Sequence, residues 1–333
     1  MTSPITVTTQ EVQSFHQAIR DAETIAISGH TNPDGDCVGS CLALYAYIKN
    51  RYPDKKAEIL LEPVGERFRF LKYADRVTQT PGEEPYDLFF CLDCSDSGRL
   101  ARFGETFEKA RHTVCVDHHV SNQDTFGEYR FVNAEAAATC QMLYLLFEEP
   151  HIDFECAQAL YLGISHDTGI FKHSNTTRQV MEIAGALIEK GVRPEFIIDE
   201  TFYKKTYIQN QILGRALMES ILLLDGSIIF SVIKKKDMEI YGVDGSDMDG
   251  IIDQLRVTEG VECALFLYEK EEGLFKVSMR SNGRVNVSEI AQTFGGGGHI
   301  KAAGCTVAGD VRDTINNIAY MVEYQLKQDS END

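Results

Sequence analysis

The sequence predicts an α/β protein: a mostly parallel sheet flanked by helices, followed by a smaller α/β domain with a mixed sheet. Three observations predict it. Short apolar runs alternate with helix-period segments through the first half of the 333 residues, the pattern of strands and crossover helices packed in layers. The texture then changes to closely spaced apolar runs carrying a hairpin signal. Acidic and histidine clusters follow the apolar runs of the first half, where an open α/β sheet binds ligands at the carboxyl ends of its strands.

The elements follow in order. Thr24–Ser28 is a strand that ends in the polar loop Gly29–Asp36, and Cys37–Ile48 is a helix with apolar residues at three- and four-residue steps. Ala57–Leu61, Asp87–Leu92 and Thr113–Val116 are further strands. Ala134–Phe147, Glu155–Ile164 and Thr177–Glu189 are helical. Residues 194–218 read as a polar helical linker between a first domain, 1–193, and a second, 219–328. In the second, Ile221–Leu224, Ser227–Ile233, Ala264–Tyr268 and Leu274–Met279 read as strands, with Asp225-Gly226 turning the first pair. Asn286–Phe294 and Asp310–Leu326 read as helices, and the polar end, with residues 329–333 as tail, is expected to fray.

Composition narrows the function. Hydrophobic residues make up 43% and charged residues 25%, which is globular and not disordered. No apolar run reaches the roughly 18–20 residues of a membrane span, and Met1–Gln10 lacks a secretory pattern, so a cytoplasmic location is expected. The nine cysteines are odd in number and scattered, which favours reduced thiols over a disulfide framework. Cys91 and Cys94, though spaced as CxxC, read as small buried hydrophobes. The net charge is −19. From Ala216 onward 11 basic residues face 20 acidic ones, and before it 21 face 31. Neither half offers the positive stripe that tracks a long nucleic acid. Lys234–Lys236, beside Asp237 and Glu239, reads as a solvated turn. An anionic substrate must therefore be short and met locally.

Four clusters carry the chemistry: His30-Thr-Asn-Pro-Asp34-Gly-Asp36, Asp93, Asp117-His118-His119, and Asp167. Each alone is ordinary cap or turn chemistry, and the first lacks the further ligands of an EF-hand. Together, each beside an element terminus of one domain, they point to a metal centre. Imidazoles and carboxylates, with no cysteine in the metal positions, suit manganese and admit magnesium, zinc or iron. The donors exceed the needs of one ion, so two ions ~3.5–4 Å apart are expected, with Asp93 as the bridging carboxylate and a bridging water as nucleophile.

HTNPDGDCVGS, LDCSDSGRL, VDHHVSN and GISHDTGIF resemble the four motifs of the DHH phosphoesterase family, and MRSNGRVNVSEIAQTFGGGGHIKAAGC resembles the DHHA1 domain that follows it. The resemblance spans nearly the whole chain and is nearest to stand-alone nano-RNases that also remove the 3′-phosphate of 3′-phosphoadenosine 5′-phosphate. It implies one ion on His30, Asp34 and Asp93 and a second on Asp36, Asp93, His118 and Asp167. It places His119 near the scissile phosphate, aiding the leaving oxygen, and Asp117 as the group orienting the histidines; the alternative for His119 is a hydrogen-bonded core histidine. It also places the active site in the interdomain cleft and makes a homodimer plausible. His166, where a small hydroxylated residue is usual, and His173 depart from the pattern or have no role in it.

The glycine run Gly295–Gly298 with His299 lets backbone N–H groups approach an anion. Arg280, Arg284 and Lys301 supply local positive charge. Gly296, Gly297, Gly298, His299, Arg280 and Arg284, with Arg99 of the second motif, are the substrate-binding candidates. The expected activity is hydrolysis of short oligoribonucleotides to mononucleotides and of 3′-phosphoadenosine 5′-phosphate to AMP. Its rivals are a cyclic dinucleotide phosphodiesterase and, further off, a nucleotide-binding regulator without turnover.

Overall fold

The computed structural model describes residues 4–122 and 126–332, and they divide into two compact units between Lys204 and Lys205. The division falls inside the helical segment 194–218.

The first unit is built on six parallel strands: β1 Thr24–Ser28, β2 Lys56–Leu60, β3 Val77–Thr78, β4 Leu88–Leu92, β5 His112–Asp117 and β6 Tyr129–Val132. Their spatial order is β3-β2-β1-β4-β5-β6. The order reverses between β1 and β4, which pair in parallel from Ile25↔Leu88 to Ser28↔Cys91. Such a reversal opens a crevice at the carboxyl edge, because the connections leave in opposite directions. The central strands are continuously apolar because both faces are covered. Ile25, Ile27, Phe90, Leu92, Val114 and Val116 enter one core, and Ala26, Phe89 and Cys91 enter another.

The helices of this unit are α1 Thr9–Asp21, α2 Gly35–Arg51, α3 Gly104–Lys109, α4 Thr139–Leu146, α5 Phe154–Asp167, α6 Arg178–Glu189 and α7 Pro194–Ile198. Thr8 and Glu11 form a capping box that starts α1. Asp34 caps α2 by accepting from the Asp36 and Cys37 backbone N–H groups, both at 3.1 Å. α2 and α5 approach through glycines. A Cβ on Gly39 would lie 2.6 Å from the Ala159 carbonyl oxygen, and one on Gly163 2.5 Å from Asp36 Oδ1. That closeness brings Asp36, at the head of α2, to Asp167, at the foot of α5.

The second unit is a mixed sheet ordered β11-β12-β10-β9-β8-β7. Its strands are β7 Ile221–Leu223, β8 Ile228–Ile233, β9 Cys263–Glu271, β10 Leu274–Ser281, β11 Gly297–His299 and β12 Ala302–Ala308. Only β8 and β9 run parallel; the remaining pairs are antiparallel. The β7–β8 connection passes through Asp225 and Gly226 at φ 52° and 92°. Helices α8 Tyr207–Met218, α9 Lys235–Tyr241, α10 Ile251–Arg256, α11 Val287–Thr293 and α12 Val311–Asn332 complete the unit. β9 divides its side chains by alternation: Leu265 and Leu267 enter the core with α11 and α12, Ala264 and Phe266 the core with α8 and α10.

Several expectations are corrected here. α4 begins at Thr139 instead of Ala134, because residues 134–138 are non-helical. The lysine run is the start of α9, where Lys234 is the N-cap. α12 runs to Asn332, beyond the end at Leu326 expected from the sequence. Among the described residues no helix is long and apolar enough to cross a membrane.

Candidate metal centre

The centre assembles at the carboxyl edge of β1, β4 and β5. His30 stands two residues past β1, and its Nδ1 meets the Thr31 carbonyl oxygen at 2.8 Å. That bond commits Nδ1–H to the carbonyl, so Nε2 is the nitrogen left for a proton or a cation. Nε2 faces Asp93 Oδ2 at 3.5 Å and Asp34 Oδ1 at 3.7 Å, both longer than an ordinary hydrogen bond. Asp93 directly follows β4 in a left-handed conformation, φ 58°, which aspartate tolerates better than most residues. The turn aims its carboxylate into the crevice, where Oδ1 accepts from Thr139 Oγ1 at 3.0 Å.

His118 follows β5, and its Nδ1 meets the Ala136 carbonyl oxygen at 3.2 Å. Its Nε2 lies 2.9 Å from Asp167 Oδ2, 3.5 Å from Asp93 Oδ1 and 3.8 Å from Asp36 Oδ2. With Nδ1 engaged by a carbonyl, the buried Nε2 is the nitrogen left to meet a proton or a cation among the carboxylates. Two acceptors at such distances attract only when a proton or a cation stands between them. Nitrogen and carboxylate donors converging in this way fit a divalent cation, which would take the place of the protons.

Asp36 is fully buried. Its oxygens accept from the backbone N–H groups of Thr139, at 2.6 Å, and Cys140, at 3.0 Å. They thereby cap α4, whose own N-cap, Ala138, has no side-chain oxygen. Burial, then the charges of Asp93 and Asp167, push Asp36 well above the ordinary carboxylate range. Asp167 is also raised, by burial first. Burial opposes protonation of His30 and His118, yet the carboxylates outweigh it and hold them at about 11 and about 10. Without a cation, protons occupy the centre, so cation binding must release them.

Asp117, fully buried, accepts from Asn122 Nδ2 at 2.7 Å and holds His119 Nδ1 at 2.7 Å. It orients His119, whereas His118 takes its orientation from Ala136. The Asp117 hydrogen bond, against burial, raises the His119 pKa. His119 is partly exposed, and its Nδ1 is 3.6 Å from Asp93 Oδ1.

The structure therefore brings together all eight metal and catalytic candidates: His30, Asp34, Asp36, Asp93, Asp117, His118, His119 and Asp167. It also adds one. Cys37 Sγ joins His30 and Asp93 in a buried group whose ligand atoms lie within 4.8 Å of one another, although the sequence suggested no cysteine in a metal position. The signal was its place one helical turn past Asp34, on the same face of α2. Arg99 is tied to this region by its backbone, accepting from Thr31 N at 3.0 Å. His166 packs over Gly35 between Phe68 and Phe202, and burial lowers it to about 4, so it is neutral. His173 covers Gly169.

The other substrate-binding candidates lie in the second unit. Gly297–His299 form the exposed edge strand β11. Two glycines of the run are demanded by packing: a Cβ on Gly296 would lie 2.2 Å from the Gly304 carbonyl oxygen, and one on Gly298 2.4 Å from that of Ala302. Arg280 Nε is 3.5 Å from Asp253 and Arg284 Nε 2.8 Å from Asp329.

A carboxylate–imidazole centre on a parallel sheet, followed by a mixed-sheet unit, defines a metal-dependent hydrolase of phosphoester bonds. The chain belongs to the DHH family: the family's N-terminal domain matches residues 24–164 and the DHHA1 domain residues 225–327. It is 33% identical to the bifunctional oligoribonuclease and PAP phosphatase NrnA of Thermus thermophilus, over 91% of this chain and 90% of that one. The protein of the same name from Bacillus subtilis is 25% identical over 86% of this chain and 90% of its own. Among solved structures, an exopolyphosphatase-related protein from Bacteroides fragilis shares the fold with a TM-score of 0.88 at 19% identity, covering 98% of this chain and all of its own.

Proposed function

We propose that this protein hydrolyses short oligoribonucleotides to mononucleotides and removes the 3′-phosphate of 3′-phosphoadenosine 5′-phosphate to leave AMP. The observation that carries the reaction type is the buried cluster in which His30 and His118 both turn Nε2 toward carboxylates. The substrate class is supported by the two relatives named for those activities.

His30, Asp34 and Asp93 would hold one divalent cation and Asp36, Asp93, His118 and Asp167 a second, with manganese the expected ion. When bound, such ions supply charge neutralisation at the phosphoryl group and activation of water. The protein's own residues do the rest. Asp117 holds the Nδ1 side of His119, which leaves Nε2 to donate a proton to the departing oxygen. Thr139 and the start of α4 fix the carboxylates of Asp93 and Asp36. Arg280, Arg284, Gly296, Gly297, Gly298 and His299, with Arg99, bind the rest of the substrate. A cytoplasmic setting accords with nine unpaired, buried cysteines.

A chromatographic time course with manganese or EDTA tests this on pApA, 3′-phosphoadenosine 5′-phosphate and cyclic di-AMP. Manganese-dependent loss of the first two, with slow attack on the third, is expected. Preferred opening of the cyclic substrate would move the protein to cyclic dinucleotide turnover. No turnover of any of them with cation bound would overturn the reading.

A further inference from the structure

The two halves of the centre differ in donor chemistry. Asp36, His118 and Asp167 bring ligand atoms within 4.8 Å of one another using oxygen and nitrogen alone. On the other side, the group of the same span is His30, Asp93 and Cys37. Helical spacing sets the sulfur there: Asp34 caps α2, and Cys37 follows three residues later on the same face. Gly29 makes room for it, since a Cβ there would fall 2.3 Å from Cys37 Sγ. The thiol's hydrogen bonds are weak ones, 3.8 Å to the His30 carbonyl oxygen and another to the neighbouring Cys41 thiol. His30 itself is only 5% exposed, with Nδ1 committed to Thr31 and Nε2 aimed at the carboxylates beyond hydrogen-bond distance.

We propose that Cys37 is a sulfur donor to the cation on the His30 side, so that this position favours a thiophilic ion such as zinc, cobalt(II) or cadmium while the other favours manganese or magnesium. Soft thiolate ligands select such ions, whereas carboxylates serve harder ones. On coordination the thiol hydrogen leaves as a proton to the buffer, and the sulfur–metal bond takes its electron pair. The inference rests on the two-cation reading of the site, and it makes the centre chemically asymmetric.

The test uses the full chain, stripped of metal under reducing conditions and titrated with cobalt(II). A near-ultraviolet sulfur-to-cobalt charge-transfer band should grow with one of the two equivalents bound. Cys37→Ala and Cys37→Ser should lose the band, while Cys41→Ala, on the same buried helix face, should keep it. Cadmium binding to one equivalent should weaken in Cys37→Ser by more than the about 10–100-fold that loss of a supporting outer group costs. Two bound cobalt ions with no such band in the unaltered chain would overturn this proposal and leave the proposed function standing. A band undiminished in the Cys37 variants would also overturn it. Failure to bind cobalt at all would overturn the two-cation reading together with it.

Discussion

In the first unit the candidate ligands are sunk into the sheet edge: Asp36 and Asp117 are fully buried and Asp93 is 1% exposed. In the second, the candidate phosphate-binding arginines sit near the surface and lean on acids, Arg280 on Asp253 and Arg284 on Asp329. Solvent screens the second arrangement, so each of its pairs contributes only about 0–1 kcal/mol. Burial magnifies the first, where an unpaired charge is costly and every oxygen position is dictated by backbone or helix. The contrast teaches that chemistry in the first unit should fail abruptly when altered, and binding in the second should decline by degrees.

The sharpest break is Asp93→Asn. It replaces a carboxylate shared by His30, His118 and His119, and kcat should fall at least about 10³-fold with cation content falling alongside. Activity within tenfold of the parent would refute the shared role. Asp117→Asn removes the charge that orients His119 and one of the two acceptor oxygens that meet His119 and Asn122, so kcat should drop about 10²-fold while emission spectroscopy finds the cations unchanged. The backbone comparison is next. Gly163→Ala puts a Cβ 2.3 Å from Cys140 Sγ and 2.5 Å from Asp36 Oδ1, and urea unfolding should show a loss of about 1–3 kcal/mol. Gly214→Ala on α8 meets nothing within 4 Å and should gain about 0.5–1 kcal/mol. Arg280→Ala should raise KM about tenfold, the share of one charged hydrogen bond, with kcat held.

The smallest effect is a pH slope. Burial lowers His16 below its ordinary 6.5, against the pull of Glu148 and with help from Arg20 and Arg51. Its Nδ1 meets the Tyr52 hydroxyl at 3.0 Å, and a hydrogen bond with the Leu146 backbone pulls upward without overcoming burial. Below 6.5 the unfolded chain binds a proton that the folded chain refuses, so stability falls as pH drops from there toward the lowered value. His16→Gln should flatten that slope in thermal melts between pH 7 and 5; an unchanged slope would remove His16 as its source.

The catalytic edge was legible because it needs residues of distinct type at strand ends, and β1, β4 and β5 announce themselves as apolar runs buried on both faces. β6 escaped notice because it has four residues and carries Arg130 in its middle. β11 was illegible for a different reason: glycines show no alternation, and only its close packing on β12 makes them a strand. Residues 134–138 look helical in composition, yet they stay non-helical and let Thr139 and Cys140 turn their N–H groups to Asp36. Cys37 was not among the metal candidates because its neighbours His30 and Asp93 belong to other elements, and its one trace in the sequence is the single helical turn that separates it from Asp34.

Asp36 serves two masters with one side chain: its oxygens cap α4 and also face His118 across the centre. Thermodynamic reciprocity then applies. Whatever free energy a bound cation adds to holding the first turn of α4, an intact first turn adds to holding the cation. A substitution far along α4 that promotes fraying would thus weaken cation affinity without touching a ligand. Hydrogen exchange at Thr139 and Cys140 would track cation occupancy.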